Sequence, residues 1–239
     1  MKISAWFIAI GAALLAVPAA AAPRPSLDRH SGTAAAPPAA SFSATVDNIW
    51  FPLKPGTRYV YTGVKDGQPS RDVVTVTHQI RSITGVPCVT VNDRLYLRGR
   101  LHERTTDWYS QDARGNVWYF GERTAELDNH GRVRSTEGTW TAGVDGAQAG
   151  IYIPANPRVG QTGRQEFYRG HAEDHFKVIG RFRALVGGGH AANAVLTAEW
   201  TPLEPGTLDH KLYVRGIGTV LEHTERGGNE HAELIAISH

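Results

Sequence analysis

The sequence predicts an all-β fold: an antiparallel curved sheet, a half-barrel or a barrel-like sandwich. Three observations predict it. Beyond residue 47 the chain divides into short segments rich in β-branched and aromatic residues, each bounded by Gly, Pro, Asn or Asp. Several of these alternate apolar and polar positions, the period of a strand with one buried face. Outside the first residues, no apolar stripe at helical spacing extends beyond about two turns. No long internal period marks a propeller or solenoid.

The chain opens with Lys2, an uncharged apolar run from Ile3 to Val17, then Pro18 and the small residues Ala19 to Ala22. That order predicts a secretory signal peptide over 1–22, cut after Ala20 or Ala22. The apolar run is shorter than the roughly 20 residues a membrane span needs, so no transmembrane segment is expected after cleavage. The expected location is secreted or periplasmic. No cysteine lies near the cut, so there is no thiol to carry a lipid. Residues 23–46 are rich in Pro, Ala and Ser and read as a flexible leader, because they offer little apolar surface to offset ordering entropy. Residues 47–239 are expected to form a single β-rich domain.

Within that domain, "RYVYTGV" precedes a "KDGQPS" turn, and "DVVTVTHQI" alternates with Val74, Val76, His78 and Ile80 on one face. "VPCVTV" and "RLYLRGRL" follow as strands. "DNHGR" (128–132) reads as a hairpin turn. Later strands are "FKVIGRFRAL", "NAVLTAEW", "DHKLYV", "GTVLEHTE" and "EHAELIAIS". Thr141 to Gly163, dense in Gly and Pro, reads as a long connection, a kind that is usually functional or mobile.

The stretch "DWYSQDARGNVWYFGE", Asp107 to Glu122, concentrates aromatics and acids. Asp112-Ala113-Arg114-Gly115 has the residues of a type I turn, with Asp bonding the turn backbone and Gly taking positive φ. The flanks then pair, and cross-strand aromatics stabilise the hairpin without any ligand. Neighbours on a strand face opposite sides, so Trp108 and Tyr109 cannot share one core. A binding surface formed by Trp108, Tyr109, Trp118, Tyr119 and Glu122 is therefore a second expectation beside the structural hairpin.

Composition excludes some classes. The formal charge is +2 and the basic residues are scattered, so there is no phosphate-binding stripe and nucleic acid is not an expected partner. A single cysteine, Cys88, permits no internal disulfide and reads as a buried inert thiol. Acids cluster at Glu103, Asp107, Asp112, Glu122, Glu126 and Glu137. If their strands are neighbours, several meet on one sheet face, as paired carboxylates do in glycoside hydrolysis or hard-cation binding. Otherwise they are solvated edges with nearby arginines. In "RGHAEDHF", His171, Glu173 and His175 would share a strand face at a spacing of two, the ligand set of an open metal site. That match is short in a chain with 11 histidines, and no metal site is expected there. No nucleophile elbow, zinc-protease helix, P-loop or dinucleotide fingerprint occurs, so no cofactor is called for and the reading leans away from an enzyme.

Short stretches carry resemblances. "D-x-x-G-N-x-W" at Asp112 to Trp118 is similar to structural hairpins of bacterial β-propellers. "NIWFPLKPGTRYVY" (48–61) and "LYVRGIGTV" (212–220) resemble the opening and closing of exported bacterial β-rich proteins, many of them lipoproteins. That resemblance implies a curved antiparallel sheet or half-barrel with a concave apolar face, as in periplasmic lipoprotein carriers, and it brings no catalytic residues. The functional expectation is an exported protein that binds a small apolar or amphiphilic ligand or an envelope component. The alternatives are a hydrolase using paired carboxylates or a metal, and a structural envelope protein.

Overall fold

The computed structural model describes residues 36–186 and 189–239. The expected signal peptide and most of the expected leader lie outside the described residues. A 3-10 turn, Ala39–Ser41, precedes β1 (Phe42–Ser43) and β2 (Arg58–Lys65). Long strands follow: β3 (Gln68–Ile83), β4 (Val86–Leu97), β5 (Arg100–Asp112) and β6 (Val117–Leu127). Shorter ones come next: β7 (Val133–Ser135), β8 (Trp140–Thr141), β9 (Gln148–Ile153), β10 (Thr162–Arg164) and β11 (Glu166–Phe167). The chain finishes with β12 (His175–Val186), β13 (His190–Trp200), β14 (Leu208–Val214), β15 (Gly218–Arg226) and β16 (His231–Ser238). No helix of the described residues is long and apolar enough to cross a membrane, which says nothing about crossing by strands.

The strands form one antiparallel sheet that curls on itself in the order β10-β12-β13-β14-β15-β16-β2-β3-β4-β5-β6-β9-β11. The expected all-β, barrel-like curvature is what the chain adopts. Its two ends meet in one stretch of chain, because β10 pairs with β12 and β11 pairs with β9 while only Gln165 separates them. The corner is pinned from inside: Gln165 Nε2 donates to the Tyr152 carbonyl at 3.2 Å. Curvature is helped by bulges, which sharpen local twist. At the bulge between Trp108 and Tyr109, Gly121 takes φ 138°, and a Cβ there would lie 2.4 Å from the Trp140 carbonyl oxygen. Only glycine lets β8 pair so closely on β6.

The hairpin turn forms as its residues dictate. The Gly115 N–H donates to the Asp112 carbonyl at 2.8 Å, and Gly115 has φ 84°. The Asp112 carboxylate accepts from the Arg114 and Asn116 N–H groups and from Trp118 Nε1, at 2.9, 3.0 and 2.9 Å. Asp112 is thus committed to the turn.

Three expectations need correction. Ordered structure begins inside the stretch expected to be a flexible leader, before residue 47: Phe42 pairs opposite Asp112 and packs edge-on against Trp118 and Phe120, at 5.8 and 5.3 Å between centroids. Burial of the Phe42 ring against Trp118 and Phe120 offsets the ordering cost of the residues beside it. Val74 and Val76 do face inward, but the register shifts between Val76 and Ile80, leaving His78 and Ile80 exposed. Thr141 to Gly163 is no open loop. It supplies β9, whose Tyr152 and Ile153 are buried. Cys88 is fully buried, and burial pushes its thiol up to about 12, well out of the nucleophilic range.

The two segments of the lipoprotein-like resemblance meet. The Gly216 N–H donates to the Ile49 carbonyl at 2.7 Å, and the Cβ position of Gly218 lies 3.7 Å from Pro52 Cδ. Their meeting forms one wall of an internal chamber.

Candidate functional site

The nearly closed sheet holds a cavity of about 100 Å³ that is partly open to solvent. Strand alternation decides what faces it. From β5 come Glu103, Thr105, Asp107 and Tyr109, every second residue. From β6 come Tyr119 and Glu122, and from β2 Tyr59 and Tyr61. Asp93 lines it from β4, Tyr152 from β9, Glu166 from β11 and Lys211 from β14. Gln165 and Asp174 flank the closing corner, and Phe51, Pro52, Leu53 and Ile217 close the wall where the two signature segments meet.

The aromatic part is tightly ordered. Tyr109 and Tyr119 stack at 4.7 Å with an interplanar angle of 14°. Tyr152 meets both edge-on, at 5.2 and 6.0 Å, and Phe51 lies 4.6 Å from Tyr152. The Tyr59 hydroxyl donates to the Pro52 carbonyl at 3.0 Å, tying β2 to the segment that leads into it.

The polar part is dominated by acids. Asp107 stands directly across from Glu122 on the paired strands, and the Tyr119 hydroxyl donates to its Oδ1 at 2.6 Å. Trp140 Nε1 donates to Glu166 Oε2 at 2.7 Å. Lys211 is the one cation among the described residues that line the chamber. It is shared by two further buried acids, with Nζ 2.8 Å from Glu199 and 3.5 Å from Glu222, and it lies 5.8 Å from the Tyr152 ring centroid. Glu199 also accepts from the Thr197 and Tyr213 hydroxyls, at 2.7 and 3.1 Å. The Thr219 hydroxyl, buried on the chamber wall, has no hydrogen-bond partner among the described residues.

Burial governs the charge state of these acids, because a low-dielectric site disfavours the carboxylate. It lifts Asp107 to about 7 against the opposing pull of the Tyr119 hydrogen bond. Asp174 rises to about 6, chiefly by burial, despite Lys211 nearby. Asp93, Glu122 and Glu166 stand well above the carboxylate range, through burial and then through the other acids around them. Burial alone would lower Lys211, but Glu199 and Glu222 outweigh it and keep the ammonium firmly charged. The chamber's acids therefore keep their protons to higher pH than exposed carboxyls do.

Of the residues expected in a binding surface, Tyr109, Tyr119 and Glu122 line this chamber. Trp108 and Trp118 do not. They face the other side of the sheet, where Arg81 covers Trp108 at 3.9 Å and Phe42 covers Trp118. The alternation that separates Trp108 from Tyr109 is the reason. Of the clustered acids, Glu103, Asp107 and Glu122 meet inside as neighbouring strands allow, whereas Asp112 holds the turn and Glu137 bonds His171 at 2.9 Å. Glu126 pairs opposite Glu103 without lining the chamber. The segment from His171 to Asp174 is a turn and loop rather than a strand, so the spacing-of-two argument fails for His171, Glu173 and His175. Glu173 accepts from the Gly170 N–H, and His175 Nδ1 faces the Glu173 carbonyl, each at 2.8 Å. Asp93, Tyr152, Glu166, Asp174 and Lys211 escaped the sequence reading. Each sits in an ordinary strand or turn, and only the closure of the barrel brings them together.

No family model matches the chain, and no curated protein matches it. Among solved structures, a bacterial protein from Parabacteroides distasonis described as a lipoprotein shares 12% identity, with a TM-score of 0.42, over 80% of this chain and 99% of its own. At that similarity the match assigns neither family nor activity.

Proposed function

We propose that the chain is an exported binding protein whose barrel takes a small amphiphilic cation, an amine or ammonium head on a short apolar body. The observation that carries this reading is the lining: stacked tyrosines beside six carboxyls, with Lys211 the single cation among the described lining residues. Aromatic faces attract ammonium groups, and desolvation strengthens the attraction. The site already holds one such arrangement in Lys211, whose ammonium rests among Glu199, Glu222 and the Tyr152 ring. A cavity of about 100 Å³ suits a short-chain amine better than a long lipid tail.

Because the acids are raised, the guest must displace protons. Affinity is expected to fall as pH drops through the values of Asp107, about 7, and Asp174, about 6. Calorimetry with butylamine and tetramethylammonium at about pH 8 and about pH 5, with butanol as the neutral control, tests this. Binding of the cations alone, weaker in acid and with protons released, is the expected result. Equal binding of butanol would return the site to a purely apolar one.

A second reading has its own support. Asp107 at about 7, paired across strands with Glu122, is the kind of acid–base couple that glycoside hydrolysis uses. Turnover of aryl glycosides, abolished in Asp107→Asn, would favour it over binding.

A further inference from the structure

We propose that His210, His223 and Glu225 form a binding site for a divalent transition-metal ion, zinc foremost, on the face of β14 and β15 that points away from the chamber. The inference goes beyond the chamber and does not depend on it. His210 and His223 are direct cross-strand partners. Glu225 follows His223 by two residues and so projects from the same face. The geometry is already close to a coordination set. Glu225 Oε2 lies 3.0 Å from His223 Nε2 and 3.9 Å from His210 Nδ1, and one donor atom from each residue falls within 4.8 Å of the others. Ligands around a tetrahedral zinc, with bonds near 2.1 Å, stand about 3.4 Å apart, so small side-chain rotations suffice.

The donor chemistry selects the ion. Two imidazoles with one carboxylate suit zinc, copper or nickel, whereas magnesium and calcium prefer oxygen-only sites. The burial gradient suits entry: His210 is largely covered, while His223 and Glu225 are partly exposed, with side chains 38% and 53% accessible. Three protein ligands leave an open position for water. The ion would also clamp two strands. Lys211 and Glu222, next in sequence to His210 and His223, face inward, so the site backs directly onto the charged wall of the chamber.

Zinc chloride titrated into the chelator-treated full-length chain, followed by calorimetry and by melting, tests the proposal. The wild type is expected to take one equivalent and to melt higher with zinc, since an ion bound to the folded state alone stabilises it by mass action. His210→Ala and His223→Gln are expected to weaken binding by more than roughly a hundredfold, because loss of an outer-shell partner alone costs about tenfold to a hundredfold. Both should lose the zinc-dependent rise in melting. His171→Ala combined with His175→Ala is expected to change neither. The proposal is overturned if the wild type takes up no zinc, if the His210 and His223 variants bind as tightly as wild type, or if the double variant at His171 and His175 is the one that loses the ion.

Discussion

The two faces of the β5–β6 hairpin are built from interleaved residues of the same strands, yet they differ in kind. The outer face carries Trp108, Trp118 and Phe120, sealed by Arg81 and Phe42 and anchored by the Asp112 turn. The inner face carries Tyr109 and Tyr119 with Asp107 and Glu122 around a cavity. The Trp118 indole N–H meets the Asp112 carboxylate, which the turn already holds in place. Phenol is placed where a hydroxyl can serve an acid whose charge changes. Burial alone therefore does not separate structure from function in this protein. What separates them is whether the accepting carboxylate is held by the donors of a turn, as Asp112 is, or borders a cavity, as Asp107 does.

Three substitutions probe that contrast. Trp118→Ala should be the most damaging, costing about 3–5 kcal/mol in denaturant melts, because it empties the outer cluster and removes a donor from Asp112. A cost below about 1 kcal/mol would mean the outer face is not the structural one.

Asp107→Asn should act through pH. In the wild type the folded pKa, about 7, lies above the unfolded value of roughly 3.9, so the native state holds the proton longer. The stability this gives is complete below the unfolded value and is lost as pH rises towards 7, at about 1.4 kcal/mol per pH unit for this group. The Asn variant should show a shallower decline and be more stable than wild type at about pH 8, while binding amines less well. Superimposable pH profiles would show that Asp107 does not titrate as its burial requires.

Tyr119→Phe should have the smallest effect, about 0.5–1.5 kcal/mol, from loss of the bond to Asp107. Since that bond favours the carboxylate, its loss should push the Asp107 transition to higher pH. An unchanged transition would detach the stacked tyrosines from the acid chemistry.

The fold class was legible because strand period and turn residues are local properties. The Asp112–Gly115 turn was legible for the same reason, as was the burial of Cys88. The hairpin's aromatics fall on two sides of the sheet, as strand alternation predicts, but the sequence does not tell which side is inward. That depends on the bulge at Gly121 and on Phe42, far along the chain. The acids of β5 and β6 could be suspected because those strands are consecutive. Glu166, Asp174 and Lys211 could not, since they join the site only when Thr162–Phe167 pairs with both ends of the sheet. The His210–His223 pair was hidden likewise. It requires the register of β14 on β15, with shifts on both sides of the pair, and no spacing rule predicts that. The Gly/Pro density of Thr141 to Gly163 concealed β9 because six residues are enough for a closing strand.

The closing stretch is short, and that has a colloidal consequence. β10 and the turn before it cover β12 only as far as Val178, and among the described residues the rest of that side has no strand partner. Ile179, Phe182 and Leu185 are exposed along it. A row of unpaired backbone groups beside apolar side chains is a template on which a second copy can add. Lys177, Arg181 and Arg183 are interspersed through the same stretch, and edge-to-edge contact in antiparallel register would bring these cations together. Salt screens such charges at a range of about 10 Å near 0.1 M, so the guard is weakest where ionic strength is high.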